Sequence, residues 1–230
     1  MVSTIDFRAT AFEYSHQRRD TYFETILKVC VEVFRLIIST TKVPNDENMI
    51  RDEFMKYLQD VNFKKQYELK NLKFDSETKE NNGRADIRVL PTKNEYIDDD
   101  EYYLIECKRL DDKRLKGKSG LNAEYVKNGI CRFVNSNYYS SFYGCNAMFG
   151  FVIAPVNIPS DIIGNINTLM SSSFLNDKKQ VVNANATRKL TYENFANTYP
   201  YSYISQHKYS ASGNSINLYH LIFDFSNHLI

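Results

Sequence analysis

Residues 83–110 read GRADIRVLPTKNEYIDDDEYYLIECKRL, and the fold turns on how they pair. ADIRVLP is a short apolar run stopped by Pro91, and EYYLIECKRL is a second run, so both read as strands joined by the polar connection TKNEYIDDDE. A strand wants apolar side chains facing a core, yet these carry Asp86, Glu106 and Lys108. Ionised groups persist in such places only when paired or bound to a metal. The period of two puts Tyr102, Leu104, Glu106 and Lys108 on one face and Tyr103, Ile105, Cys107 and Arg109 on the other. If the two strands pair, Asp86 meets Glu106 at the strand ends. That gives two hard oxygen ligands suited to Mg²⁺, with an ammonium in reach.

Upstream, Phe23, Ile26, Leu27, Cys30, Val33, Phe34 and Ile37 recur at three- and four-residue steps and predict a helix from Tyr22 to Ile38. TTKVPNDEN then supplies a proline turn, with Asn45 or Asp46 as N-cap of a second helix carrying Ile50, Phe54, Tyr57, Leu58 and Val61 on one side. QYELKNLKFDSET reads as a further extended stretch before the first quoted run. Downstream, the charged loop RLDDKRLKGKSG leads into a helix from about Leu121 to Tyr138, with Tyr125, Ile130, Phe133 and Val134 inward. CNAMFGFVIAP is a buried strand ended by proline. Ser160 is placed to cap a short helix through DIIGNINTLM, residues 171–189 read as a polar loop, and YSYISQHKY and INLYHLIFDF form a hairpin across SASGNS. The sum is a mixed α/β domain, a central sheet flanked by helices with a C-terminal strand hairpin.

The 230 residues, 43% hydrophobic and 25% charged, suit a single domain with one sizeable core. A net charge of +1 excludes a broadly basic nucleic-acid coat and leaves only local patches for such contacts. Cys30, Cys107, Cys131 and Cys145 lack metal-ligand spacing and read as reduced thiols, so a cytoplasmic setting is expected. The start lacks the apolar region of a signal peptide, and no run is long enough to span a bilayer, so no membrane partner is expected.

GRADIRV followed by LIECKRL resembles the PD-(D/E)XK nuclease superfamily, whose restriction-endonuclease-like fold carries an acid on one strand and Glu/Asp-x-Lys on the next. Gly83, Arg84 and Ala85 stand in place of the family's proline-first form. The match covers residues 45–155 as helix, strands, helix, strand. It implies that Asp86, Glu106 and the backbone carbonyl of Cys107 hold Mg²⁺ or Mn²⁺, and that Lys108 serves the attacking water. It further implies a hydrolase acting on phosphodiester bonds, DNA before RNA, like the effectors of restriction or antiphage defence systems. Such proteins often dimerise or work in a larger complex. The domain then divides into an N-terminal helical segment (1–44), a catalytic core (45–155) and a C-terminal helix, loop and hairpin (156–230). The rival is a non-catalytic nucleic-acid-binding or assembly subunit that retains the fold.

Family members often add an acid from the helix before the first strand. Glu47 lies on the Ile50/Phe54 face and is the candidate here, with Glu53 at the flank; either is equally readable as a surface acid at a helix N-terminus. Lys113, Arg114, Lys116 and Lys118 form a basic run after the site that suits a phosphate backbone, as do Arg84, Arg88 and Arg109, with Lys127 and Arg132 on the following helix. Ordinary solvated surface explains each of these cations as well. His220 shares a strand face with Ile216, Leu218 and Ile222 and reads, with His207, as a hydrogen-bonded core histidine. The tyrosines of NSNYYSSFYG could stack on bases or simply pack.

Overall fold

Strands β1 (Leu72–Glu80), β2 (Gly83–Pro91) and β3 (Tyr103–Leu110) form an antiparallel meander at one side of the sheet. The computed structural model describes residues 6–80, 83–92, 102–135 and 145–230. Most of TKNEYIDDDE, nearly all of NSNYYSSFYG, the end of the helix expected to reach Tyr138 and the Cys145 side chain lie outside the described residues or side chains. Next to β3 lies β4 (Cys145–Val152), parallel to it, and then β9 (Ser215–Asp224), parallel to β4. The order closes with β8 (Ser202–Lys208) and β7 (Ala186–Tyr192), both antiparallel, giving β1-β2-β3-β4-β9-β8-β7 among the described residues. The chain is thus mixed α/β with a seven-stranded central sheet.

One face of the sheet is covered by α1 (Asp6–Thr40) and α2 (Glu47–Gln59). Phe54 of α2 is fully buried among the rings of Phe149, Phe151, Phe223 and Phe225. Asp46 is the N-cap of α2, its carboxylate accepting the Met49 amide at 3.0 Å, which satisfies an amide that the helix itself leaves open. Val61 is not on the buried stripe: α2 ends before Asp60, which caps a separate helix, α3 (Val61–Gln66), and leaves Val61 exposed. The extended stretch expected from Gln66 begins only at Leu72, after the end of α3 and a turn.

The other face carries α4 (Leu121–Tyr125), a π-helical turn (Val126–Ile130) and α5 (Cys131–Val134) as one winding segment. Tyr125, Ile130, Phe133 and Val134 are buried, as their spacing predicts. A second π-helical piece (Ile158–Ile163) runs into α6 (Gly164–Leu169). Its cap is Asn157, whose side chain accepts the Ser160 amide, so Ser160 is a donor inside the turn and not the cap. Residues 171–189 are not all loop: β5 (Ser173–Leu175) and β6 (Val181–Asn183) pair as a small hairpin, and β7 starts at Ala186. Phe174 and Val182 anchor that hairpin to the core.

Gly150 of β4 lies opposite Lys108 in the parallel ladder. A Cβ there would stand 2.5 Å from Leu110 Cδ1 and 2.7 Å from Ile222 Cδ1, with Tyr125 at 3.3 Å. All three neighbours are buried, so Gly150→Ala is expected to destabilise the protein by about 1–3 kcal/mol, read as a lower urea midpoint.

Behind β4 a buried polar chain links the C-terminal hairpin to α4. Tyr125 Oη lies 2.8 Å from His220 Nδ1, Ser205 Oγ lies 2.7 Å from His220 Nε2 and 2.6 Å from His207 Nε2, and His207 Nδ1 lies 2.7 Å from the Ala184 carbonyl. The carbonyl can only accept, so His207 Nδ1 donates to it and His207 Nε2 accepts from Ser205. His220 Nε2 then donates to Ser205, and Tyr125 donates to His220 Nδ1. Both imidazoles are therefore neutral. Burial pushes His207 down to about 4, and burial with His207 nearby lowers His220 well below its ordinary value, consistent with that proton order. These are the core histidines that the strand pattern predicts.

Candidate active site

The β2–β3 ladder runs through Val89↔Tyr103 and Arg88↔Leu104 to Ile87↔Ile105 and stops there. At the next step the Asp86 side chain takes over from the backbone: its Oδ2 accepts the Cys107 amide at 2.7 Å. On the far side of β2 the β1 ladder skips Glu77, which adopts a left-handed φ of 52° opposite Asp86. Both neighbouring ladders thus break at Asp86. Non-glycine residues seldom take that conformation, and where they do a functional site is often near.

Glu106 and Lys108 project from β3 on the same side, as the alternation requires. Lys108 is 9% exposed and Glu106 is 0% exposed. The Lys108 ammonium donates to the Cys107 carbonyl at 2.6 Å and to Glu47 Oε1 at 3.0 Å, and it lies 2.9 Å from Glu106 Oε1 and 3.7 Å from Asp86 Oδ2. Four oxygens from four residues therefore converge on one point. Glu47 comes from the first turn of α2, and its second oxygen accepts the Arg109 amide at 3.0 Å, so this acid also fastens the helix to β3. Glu53 is elsewhere, paired with Lys56.

Around this point three carboxylates (Glu47, Asp86, Glu106) are met by three cations. Arg132 donates to Glu106 Oε1 at 2.7 Å, and the buried guanidinium of Arg51 lies 3.8 Å from Asp86 Oδ1 while also bonding Asp52 and Glu77. Burial, reinforced by Glu106, pushes Asp86 up to about 6, against the opposing pull of Lys108, the Cys107 amide and Arg51. Burial alone would lower Lys108, but Glu106, Asp86 and Glu47 outweigh it and hold the ammonium above its ordinary value. The Cys107 thiol points to the opposite, apolar face and is raised by burial, which makes it a poor nucleophile.

The structure brings together Glu47, Asp86, Glu106, Lys108 and the Cys107 carbonyl. Of the expected basic side chains it brings Arg132 there, and it places the others elsewhere. Arg88 pairs with Asp75 and lies over the Tyr102 ring at 5.5 Å, and Arg109 donates to the Asn45 carbonyl and side chain, anchoring α2. Arg84 is exposed beside Glu77. Lys113, Arg114, Lys116 and Lys118 are exposed on the loop after β3, where Arg114 donates to Ser119 and Lys118 reaches the Ser173 carbonyl. Arg51 escaped the sequence reading, although the signal was present. It lies three, four and seven residues before Phe54, Met55 and Leu58, a charge on an apolar helical stripe.

Among the described residues no three His, Cys, Asp or Glu side chains form a cluster that could hold a metal ion on their own. The donor set that would suit one is hard oxygen, two side-chain carboxylates and a backbone carbonyl, already spaced around a single cation by Lys108. No helix among the described residues is long and apolar enough to cross a membrane. No protein family, curated protein or solved structure matches the chain.

Proposed function

We propose that this protein is a metal-dependent nuclease with a PD-(D/E)XK site on a restriction-endonuclease-like fold. The observation that carries the reading is the convergence of Asp86, Glu106, the Cys107 carbonyl and Glu47 on the Lys108 ammonium, where α2, β2 and β3 meet. The order α2, antiparallel β1–β3, helix, parallel β4 supports it. So does the intact set of acid, acid and lysine, against a non-catalytic subunit that keeps only the fold.

In this reading Asp86, Glu106 and the Cys107 carbonyl hold Mg²⁺ or Mn²⁺. A divalent ion there supplies Lewis-acid polarisation of the phosphodiester and a lower pKa for a coordinated water. Lys108 is the one cation surrounded by all the acids, and its ammonium orients the attacking water and stabilises charge developing on phosphorus. Glu47 holds the lysine from the α2 side. Arg132 sets the direction of the Glu106 carboxylate. DNA is the first substrate class, and a role in restriction or antiphage defence follows by analogy only.

The test is incubation of supercoiled plasmid, linear duplex, single-stranded DNA and RNA with Mg²⁺ or Mn²⁺, with EDTA as control. The expected result is metal-dependent cleavage, lost in EDTA. Failure to cut any substrate, together with no heat of metal binding in a calorimetric titration, would overturn the reading; metal binding without cutting would favour the non-catalytic subunit.

A further inference from the structure

Beside the carboxylate site lies a cleft of about 530 Å³ between the β5–β6 hairpin, the π-helical turn with α5, and the start of β2 at Gly83. It adjoins the site through Arg132, which lines the cleft and also touches Glu106 at 2.7 Å. A volume of this order takes one small organic unit and not a double helix.

The lining has two characters. Its polar wall carries side-chain amides from both sides, Asn128 from the helix and Gln180 from the hairpin, and the cations Lys127, Arg132 and Lys178. Lys127 lies 3.7 Å from Glu124 and 3.9 Å from Asp177, so two acids oppose these cations, and Asn176 donates to Gln180 at 3.2 Å. The hairpin also holds two large apolar side chains out of the core. Val181 is 69% exposed and lines the cleft, and Leu175, 61% exposed, is its direct cross-strand partner. Lys118, from the basic loop after β3, reaches the hairpin base at Ser173.

We infer that this cleft binds one unpaired nucleotide of the strand whose phosphodiester reaches Glu106 and Lys108. The inference rests on the nuclease reading for the position of the phosphodiester, and on the cleft itself for the unpaired base. Val181, with Leu175 beside it on the hairpin, gives a base an apolar surface to lie on. Facing amides offer donors and acceptors to its Watson–Crick edge, and the lysines meet the flanking phosphates. A paired base offers neither its face nor that edge. The preferred substrate is therefore a single strand, an overhang or a duplex with an unpaired nucleotide.

The test measures fluorescence anisotropy of an end-labelled single-stranded DNA and of the same sequence as a blunt duplex, in EDTA, for wild type and Leu175→Ser/Val181→Ser. Both hairpin positions are exposed, and circular dichroism checks that the double variant folds. Wild type is expected to prefer the single strand by about tenfold or more, and the double variant to lose at least about fivefold of that affinity. Equal binding of strand and duplex by wild type, or unchanged binding by the folded double variant, would overturn the inference. If wild type cuts nothing but the double variant still loses strand binding, the nuclease reading fails and the cleft stands. If wild type cuts and the double variant binds and cuts like it, the cleft fails and the nuclease reading stands.

Discussion

Lys108→Ala is expected to lower cleavage by about 10²–10³-fold, the usual loss when a preorganised group that stabilises transition-state charge is removed. It should also weaken the metal-free fold. Three carboxylates surround the Lys108 ammonium, and taking it away leaves buried Glu106 with Arg132 as its nearest remaining cation. Breaking a buried pair by removing one partner costs about 3–5 kcal/mol. A divalent ion that binds the same oxygens would restore part of this loss. Urea unfolding with and without Mg²⁺ therefore separates the two roles of the lysine: a large metal-free destabilisation, partly reversed by Mg²⁺, with cleavage still absent. Wild-type cleavage rates in this variant would remove Lys108 from the mechanism.

Asp86→Asn is expected to have the opposite effect on stability and the same effect on activity. Asp86 is raised from 3.8 to about 6 by burial first and Glu106 second. A carboxyl whose pKa is higher in the folded state binds its proton more tightly there, so metal-free wild type is favoured below the unfolded value. Stability attributable to this group falls as pH climbs from 3.8 to about 6 and is constant above. Roughly two pH units at about 1.4 kcal/mol each give about 3 kcal/mol. The neutral amide avoids that penalty while its oxygen can still accept the Cys107 amide. At neutral pH and without metal the variant should therefore unfold at higher urea than wild type, with the gap closing toward about pH 4. Calorimetry should show metal binding lost, and cleavage with it. A variant less stable than wild type at neutral pH would mean that Asp86 is a structural acid. For wild type, the same shift predicts that metal affinity and cleavage rise as pH passes about 6.

The pairing of β2 with β3, and with it the meeting of Asp86, Glu106 and Lys108, was legible because period-two alternation fixes which side chains share a face. The α2 cap at Asp46 and the core histidines were legible for the same kind of local reason. Three things were not. The β5–β6 hairpin is two three-residue strands in a polar stretch, too short for any periodicity to register, and its apolar anchors are Phe174 and Val182. The π-helical turn at Val126–Ile130 widens a helix whose apolar spacing looks ordinary, with Gly129 lying against Met148 and near Lys108. In sequence Arg132 reads equally as a phosphate contact or a solvated helix residue, because nothing local reveals that a cation on a helix will meet Glu106 from β3. Such contacts are set by how elements stack, and sequence alone does not state the stacking.

The two outer strands of the sheet bear on how copies of this chain could assemble. β1 is interrupted at Glu77 and studded with Lys73, Asp75 and Lys79, and β7 meets β8 through two register shifts. A neighbour adding itself as an eighth strand needs a long, even row of amides and carbonyls, and bends and charges of this kind deny it one. Sheet-to-sheet growth, and the fibrous aggregation that begins the same way, is blocked at both ends. Contacts between copies made through helices and loops would leave the open end of the β2–β3 ladder clear.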